Sequence, residues 1–316
     1  MATNDDEEEH DDGEEHDIFQ SIDIIEDEQE NDQGDYKVAS PLHHEEEIKY
    51  QNRKPKWWGR VAGRRGSKAQ RRAYRSMESH KLASISYGEL YDFQELFCSK
   101  EIWLEIGSGQ GHVLLANSER HTDAVMIGAD IHKAGVGLTL LRIEAAINSS
   151  EYWRDYSIYS TTKDPFTEKA TGEDDDEVFP PPTPDKQVYS NVRVFPGDGM
   201  KLLRSISTSS LSVTLMTFPD PWDEAGEKQF RLLQNHTLED FHRILKPGGR
   251  FFLATDHIVF YKWSLELFAA SPQQFRKVEP CPPRAAWLPV ISKYEQKGWD
   301  EGRRTNLVCW ETIKSE

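Results

Sequence analysis

Three carboxylates stand at matching places relative to short apolar runs. Glu105 lies in Trp103-Leu104-Glu105-Ile106, just ahead of the turn Gly107-Ser108-Gly109-Gln110-Gly111. Asp130 follows Ala124–Ala129, and Asp198 sits in Gly197-Asp198-Gly199 after Val192–Phe195. A buried strand running into a glycine turn and a helix is where open α/β sheets bind nucleotides. A dinucleotide site wants Gly-x-Gly-x-x-Gly with a helix N-terminus aimed at a pyrophosphate. Here the third glycine comes one position early, and residue 112 is His. A carboxylate beside the turn also disfavours an anion. It favours a ligand that lacks phosphate and carries an ammonium and a sulfonium, which describes S-adenosylmethionine. Gly107 and Gly109 then let the backbone approach the ligand, with Glu105 beside its cationic end. Asp130, 25 residues after Glu105, is placed to accept from both ribose hydroxyls, and Asp198 to face the adenine amino group.

A second group of residues can do chemistry further along. Phe218-Pro219-Asp220-Pro221-Trp222 puts one aspartate between two prolines, a stiff loop that would hold Asp220 beside the reactive methyl. Thr255-Asp256 adds another acid after the next apolar run, and Ser292-Lys293-Tyr294-Glu295-Gln296-Lys297-Gly298 adds a hydroxyl and a carboxylate ahead of a glycine.

The elements that must position these groups alternate between strand and helix. Strand-length apolar runs fall at 102–106, Ala124–Ala129, Val192–Phe195, 211–218 and 250–254, with helical patterns between most of them. That order predicts a largely parallel sheet with helices on both faces. Residues 228–245 carry Phe230, Leu233, Leu238, Phe241 and Leu245 at helical spacing, and Lys246-Pro247-Gly248-Gly249 reads as the stop.

With 316 residues and 37% hydrophobic content, the chain suffices for one full α/β domain plus tails. Its net charge of −17 is local: residues 1–50 hold 20 Asp and Glu against Lys37 and Lys49, a balance of −18. The remainder is therefore close to neutral. Such a tail is expected to be disordered, because it has too little apolar surface to offset its ordering entropy. Residues 51–80 are expected to form a basic RNA-contacting segment, and 81–316 the main domain. Between 53 and 75 there are ten Lys and Arg and no acid, with Trp57 and Trp58 interleaved, a pattern suited to phosphates and unstacked bases. Residues 155–187, with an acidic run and then Pro180, Pro181, Pro182 and Pro184, read as a disordered insertion. No run approaches the roughly 20 apolar residues of a membrane span, and an acidic N-terminus is unlike a transit peptide. Cys98, Cys281 and Cys309 lack metal spacing and are odd in number, which suits a reducing compartment. These features predict a soluble cytoplasmic or nuclear protein.

Taken together, the segments at 105–111, 130–137, 218–222, 254–256 and 292–298 resemble those of the tRNA (guanine-N(7)-)-methyltransferase family, in the same order, over roughly residues 60–312. The lead-in Gly63-Arg64-Arg65-Gly66-Ser67-Lys68-Ala69-Gln70 is similar too. The resemblance implies a Rossmann-like class I methyltransferase fold with a mostly parallel seven-stranded sheet and S-adenosylmethionine as donor. It implies that Glu105, Asp130, Asp198 and Asp220 serve the donor site and that Asp220 is catalytic. Asp256, Ser292, Tyr294, Glu295 and Lys228 would serve the substrate guanine, and Arg64, Arg65, Lys68, Arg71 and Arg72 the tRNA. An accessory subunit and a homo-oligomer both stay open.

One departure is sharp. Where the family has Lys, Arg and His after its Phe-Pro-Asp-Pro-Trp, this chain has Asp223-Glu224-Ala225-Gly226-Glu227. Two other readings therefore stay open: a class I methyltransferase acting on another RNA base or a small molecule, and an inactive RNA-binding homologue. The tail carries its own prediction, since its negative charge competes with phosphate for the 53–75 block. Removing residues 1–50 is expected to tighten tRNA binding at low salt in a filter-binding titration. Equal affinities with and without the tail would end that idea.

Overall fold

The computed structural model describes residues 66–83, 85, 88–98, 100–148, 188–224 and 226–314. The acidic tail, Arg64, Arg65 and the 155–187 segment lie outside the described residues. Seven strands form one sheet: β1 (Glu101–Ile106), β2 (Ala124–Ala129), β3 (Val192–Phe195), β4 (Leu211–Thr217), β5 (Leu245–Thr255), β6 (Phe275–Lys277) and β7 (Asn306–Thr312). Their spatial order is β3-β2-β1-β4-β5-β7-β6. β7 runs antiparallel to both neighbours, β5 and β6, and the β1 to β5 pairings are parallel. The expected architecture is therefore present. The chain steps outward from β1 through β2 to β3, then returns to lay β4 on the other side of β1, which puts the topological switch between β1 and β4. Ligands of open α/β sheets bind outside the carboxyl ends of the strands at that point.

Helices cover both faces, so the central strands are apolar on both sides. Ile102, Leu104 and Ile106 face a core shared with α5 (Gly199–Arg204), α6 (Asn235–Ile244) and α7 (Ile258–Ala269). Trp103 faces a second core built from α1 (Lys68–Ser76), α3 (His112–Arg120) and α4 (Lys133–Asn148). A short turn, α2 (Phe93–Leu96), precedes β1, and α8 (Lys293–Asp300) precedes β7. The antiparallel edge is held by aromatics: the rings of Phe268 and Trp310 stack with centroids 3.8 Å apart, and Phe251 meets Phe241 edge-on at 4.8 Å. Such pairs add about 0.5–1.5 kcal/mol each beyond their buried area.

The helix expected over 228–245 is shorter, and local side-chain bonding gives the reason. Residues Lys228–Phe230 form a single 3-10 turn and α6 begins only at Asn235. The Gln234 side-chain amide donates to the Lys228 carbonyl (2.7 Å), and the Thr237 hydroxyl accepts from the Gln234 backbone N–H (2.8 Å). These bonds offer the backbone an alternative to a continuous helix. The stop also differs. β5 already starts at Leu245, opposite Leu211, and pairing resumes with Arg250 opposite Val213, so residues 246–249 loop out of the strand.

α1 is docked on the sheet domain. Ser67 caps it, with reciprocal bonds between Ser67 and Gln70 (3.2 and 2.7 Å). Ala73 is buried, and Arg72 pairs with Glu144 of α4 at 2.6 Å.

Candidate active site

The strand-end acids converge on the carboxyl edge beside the switch point. Gly107, Gly109 and Gly111 all have positive φ (76°, 55° and 78°), a backbone that only glycine adopts freely. The turn is tied to β2 through the Gly107 N–H, which donates to the Ala129 carbonyl at 2.8 Å. Asp130 accepts from the backbone N–H of Gly109 and of His132, both at 2.7 Å, one on each carboxylate oxygen. Each oxygen keeps a lone pair, so acceptance from two ribose hydroxyls stays feasible.

Glu105 is 2% exposed. Its Oε1 accepts from the Thr217 hydroxyl at 3.0 Å, while Oε2 is buried without a hydrogen-bond partner among the described residues. Burial, with the nearby negative charge of Asp130 adding to it, pushes this carboxyl up to about 7. Asp198 caps α5, its Oδ1 accepting from the Met200 N–H at 2.9 Å and its Oδ2 buried with no such partner. Burial raises its pKa as well. A buried carboxylate oxygen without a donor is costly. Two of them at one strand edge call for a ligand that brings positive charge and N–H groups.

The loop after β4 holds the next acid. Phe218 and Trp222 bracket it, both in the left-handed region (φ 51° and 44°), at a cost of about 1–3 kcal/mol each. Strain of this kind persists only where the surroundings over-determine it. The Phe218 N–H donates to the Ala254 carbonyl at 2.8 Å, and Arg231 Nε donates to the Pro221 carbonyl at 2.8 Å. Asp220 is exposed, and its carboxylate has no hydrogen bond or ion pair among the described residues. Tyr294 shares this space. It is 60% exposed, yet partial desolvation of its hydroxyl and the charges of Asp130 and Asp220 raise its pKa.

On the substrate side the predicted residues divide. Asp256 follows β5, with Oδ2 accepting from Arg303 Nε at 2.8 Å. α8 rests directly on it, because a Cβ at Gly298 would come within 2.4 Å of that oxygen. Gly298→Ala is thus expected to destabilise the fold by about 1–3 kcal/mol through overpacking, read as a lowered Tm; an unchanged Tm would contradict it. Ser292 caps α8 by accepting from the Glu295 N–H at 3.1 Å. Glu295 is fully buried, gripped by Arg284 through two bonds (2.5 and 2.7 Å) and by the Thr305 hydroxyl at 2.7 Å. Its carboxylate therefore anchors α8, while Tyr294 is the exposed one of the three predicted site residues on the segment. Lys228 is exposed on the turn beyond the loop.

Of the basic residues, Lys68, Arg71 and Arg72 lie on α1. That helix starts near the site: a Cβ at Gly66 would be 3.7 Å from the Ala134 Cα, and one at Gly135 would meet the Gly109 carbonyl at 2.6 Å. Sequence reasoning missed Thr217, His257 and Arg303, whose partners Glu105, Asp223 and Asp256 are distant in the chain, and Arg231, whose bond to the Pro221 carbonyl no local pattern marks.

Residues 99–307 match a family model described as "Putative methyltransferase". The chain belongs to that methyltransferase family. Among curated relatives, the tRNA (guanine-N(7)-)-methyltransferase of Ruegeria sp. is 27% identical, covering 71% of this chain and 72% of its own. The enzyme of the same description from Rhodospirillum rubrum is 28% identical over 71% of this chain and 73% of its own. That of Francisella philomiragia is 27% identical over 79% and 91%. No helix among the described residues is long and apolar enough to cross a membrane.

Proposed function

We propose that this chain transfers a methyl group from S-adenosylmethionine to N7 of a guanine in tRNA. The carrying observation is that the buried carboxylates of Glu105 and Asp198, at the β1 and β3 edge, each keep one oxygen without a well-formed hydrogen bond among the described residues. They fit a ligand with a cationic end and an adenine amino group, with Asp130 between them for the ribose. The relatives' shared description supports the acceptor.

When bound, the donor supplies an electrophilic methyl on a sulfonium. Guanine N7 has an in-plane lone pair, so forming its bond to carbon while the carbon–sulfur bond breaks requires no strong base. The positive charge moves from sulfur to the purine. The protein's task is in-line positioning and opposition to that charge. We assign this task to Asp220, whose exposed carboxylate has no hydrogen bond or ion pair among the described residues. Asp256, held by Arg303, keeps a second oxygen for guanine N1–H and the 2-amino group. The base must leave its stack, which costs a few kcal/mol that phosphate contacts along α1 can offset. Pure protein, labelled donor and unmodified tRNA should yield labelled 7-methylguanosine in nuclease digests. Label in another nucleoside would support the alternative that Asp223, Glu224 and Glu227 redirect the enzyme to a different base; label in protein, or none, would overturn both.

A further inference from the structure

We infer that Arg231 and the Asp223–His257 pair are positioning residues for the 218–222 loop, and that they fix where the Asp220 carboxylate stands. The inference rests on the methyl-transfer reading and adds residues it does not use. Asp220 has no side-chain partner among the described residues, so its position is set by its backbone alone. That backbone is left-handed at both ends of the loop, so something outside must hold it.

The structure provides three restraints downstream of Asp220. Arg231 is 1% exposed, donates Nε to the Pro221 carbonyl at 2.8 Å, and lies over the rings of Trp263 and Phe260 at 5.2 and 5.9 Å. Trp222 packs on Phe230 with centroids 5.4 Å apart. Asp223 Oδ2 meets His257 Nε2 at 3.2 Å, tying the segment after the loop to the end of β5. Asp223 also acts on Arg231. The guanidinium Nη2 is buried without a hydrogen-bond partner among the described residues, and the Asp223 charge is close enough to stabilise that cation. Burial outweighs that attraction, so this one carboxylate offsets part of the cost of burying the arginine while also meeting the histidine. Asp223, the first residue of the acidic segment that departs from the family's basic pattern, thus has a local task in this chain, beyond any effect on RNA contact.

The test pairs turnover with local hydrogen exchange in the full-length protein, comparing Asp223→Asn, Arg231→Lys and Arg231→Met with the parent. Asp223 is partly exposed (43% of its side chain), so Asp223→Asn serves even where Arg231→Met fails to fold. Asp223→Asn is expected to lower kcat between about tenfold and a hundredfold, the range for a small misplacement of a reacting group. KM for tRNA and the donor Kd should stay within about twofold, since neither residue is placed on a ligand. The Phe218 amide, whose N–H is bonded to the Ala254 carbonyl at the base of the loop, should exchange faster, and Arg231→Lys should recover part of the rate lost in Arg231→Met. Unchanged kcat and exchange in Asp223→Asn would overturn the inference, as would a rate loss that follows Tm without faster loop exchange. The exchange readout needs no turnover, so it decides the clamp even where the acceptor proves to be something other than tRNA.

Discussion

Asp220→Asn is expected to reduce single-turnover methyl transfer to tRNA by about a hundredfold to a thousandfold, the loss typical when one group opposing transition-state charge is removed. The substitution keeps the shape of the side chain and removes its charge. Because Asp220 is exposed and has no hydrogen bond among the described residues, nothing in the fold depends on that charge. Tm is therefore expected to stay within the usual scatter of surface substitutions, about 0.5 kcal/mol. Donor affinity should fall by much less than the rate, since the buried carboxylates of Glu105 and Asp198 and the two N–H bonds of Asp130 remain. tRNA affinity should hold as well, since the basic residues of α1 are unchanged. A transfer rate within about threefold of the parent, far short of the loss expected for such a group, would remove Asp220 from the chemistry and shift attention to Asp256.

The parts of this site that could be read from the sequence are those made by neighbours in the chain. Strand periodicity and the glycine turn located β1, and the acids after β2 and β3 followed from simple spacing. β2 and β3 begin and end at the residues the apolar runs gave. The restraints on those acids were not legible, because each joins residues brought together by sheet register. Thr217 reaches Glu105 only because β4 lies beside β1 with Leu215 opposite Glu105. Arg303 reaches Asp256 because β7 returns antiparallel to β5. Glu295 is the instructive case. The family resemblance implies a substrate contact for it, and no local pattern shows that Arg284, eleven residues earlier, takes both of its oxygens. The 246–249 segment shows a different limit: Pro247 and two glycines do mark an interruption, but it falls inside a strand, where only the Leu211 pairing reveals it.

Glu105 supports a prediction about pH. Burial raises its carboxyl from 4.5 to about 7 in the folded protein without donor. Between those two values the folded state holds a proton that the unfolded state has lost. Stability from this group is therefore fully present below pH 4.5 and is lost as pH rises through about 7. A cationic donor favours the ionised form and expels the proton. Donor affinity should accordingly rise with pH up to about 7 and then level off, by as much as about tenfold per unit for one released proton. Burial raises Asp130 and Asp198 in the same direction, so neither opposes the trend. Calorimetric titrations in buffers of different ionisation enthalpy would count the proton directly, and no release at about pH 6, below the raised value, would contradict the assignment. Glu105→Gln separates this effect from general damage. The amide oxygen still accepts from Thr217, but the charge is gone, so donor binding should weaken by about 1.5–3 kcal/mol, the worth of a hydrogen bond to a charged group, and lose its pH dependence near neutrality. The donor-free variant should be more stable than the parent above pH 7, because it no longer buries a charge without a partner. A variant that weakens donor binding and is also less stable at pH 8 would show that Glu105 serves packing in the fold, and the cationic end of the donor would have to be held elsewhere.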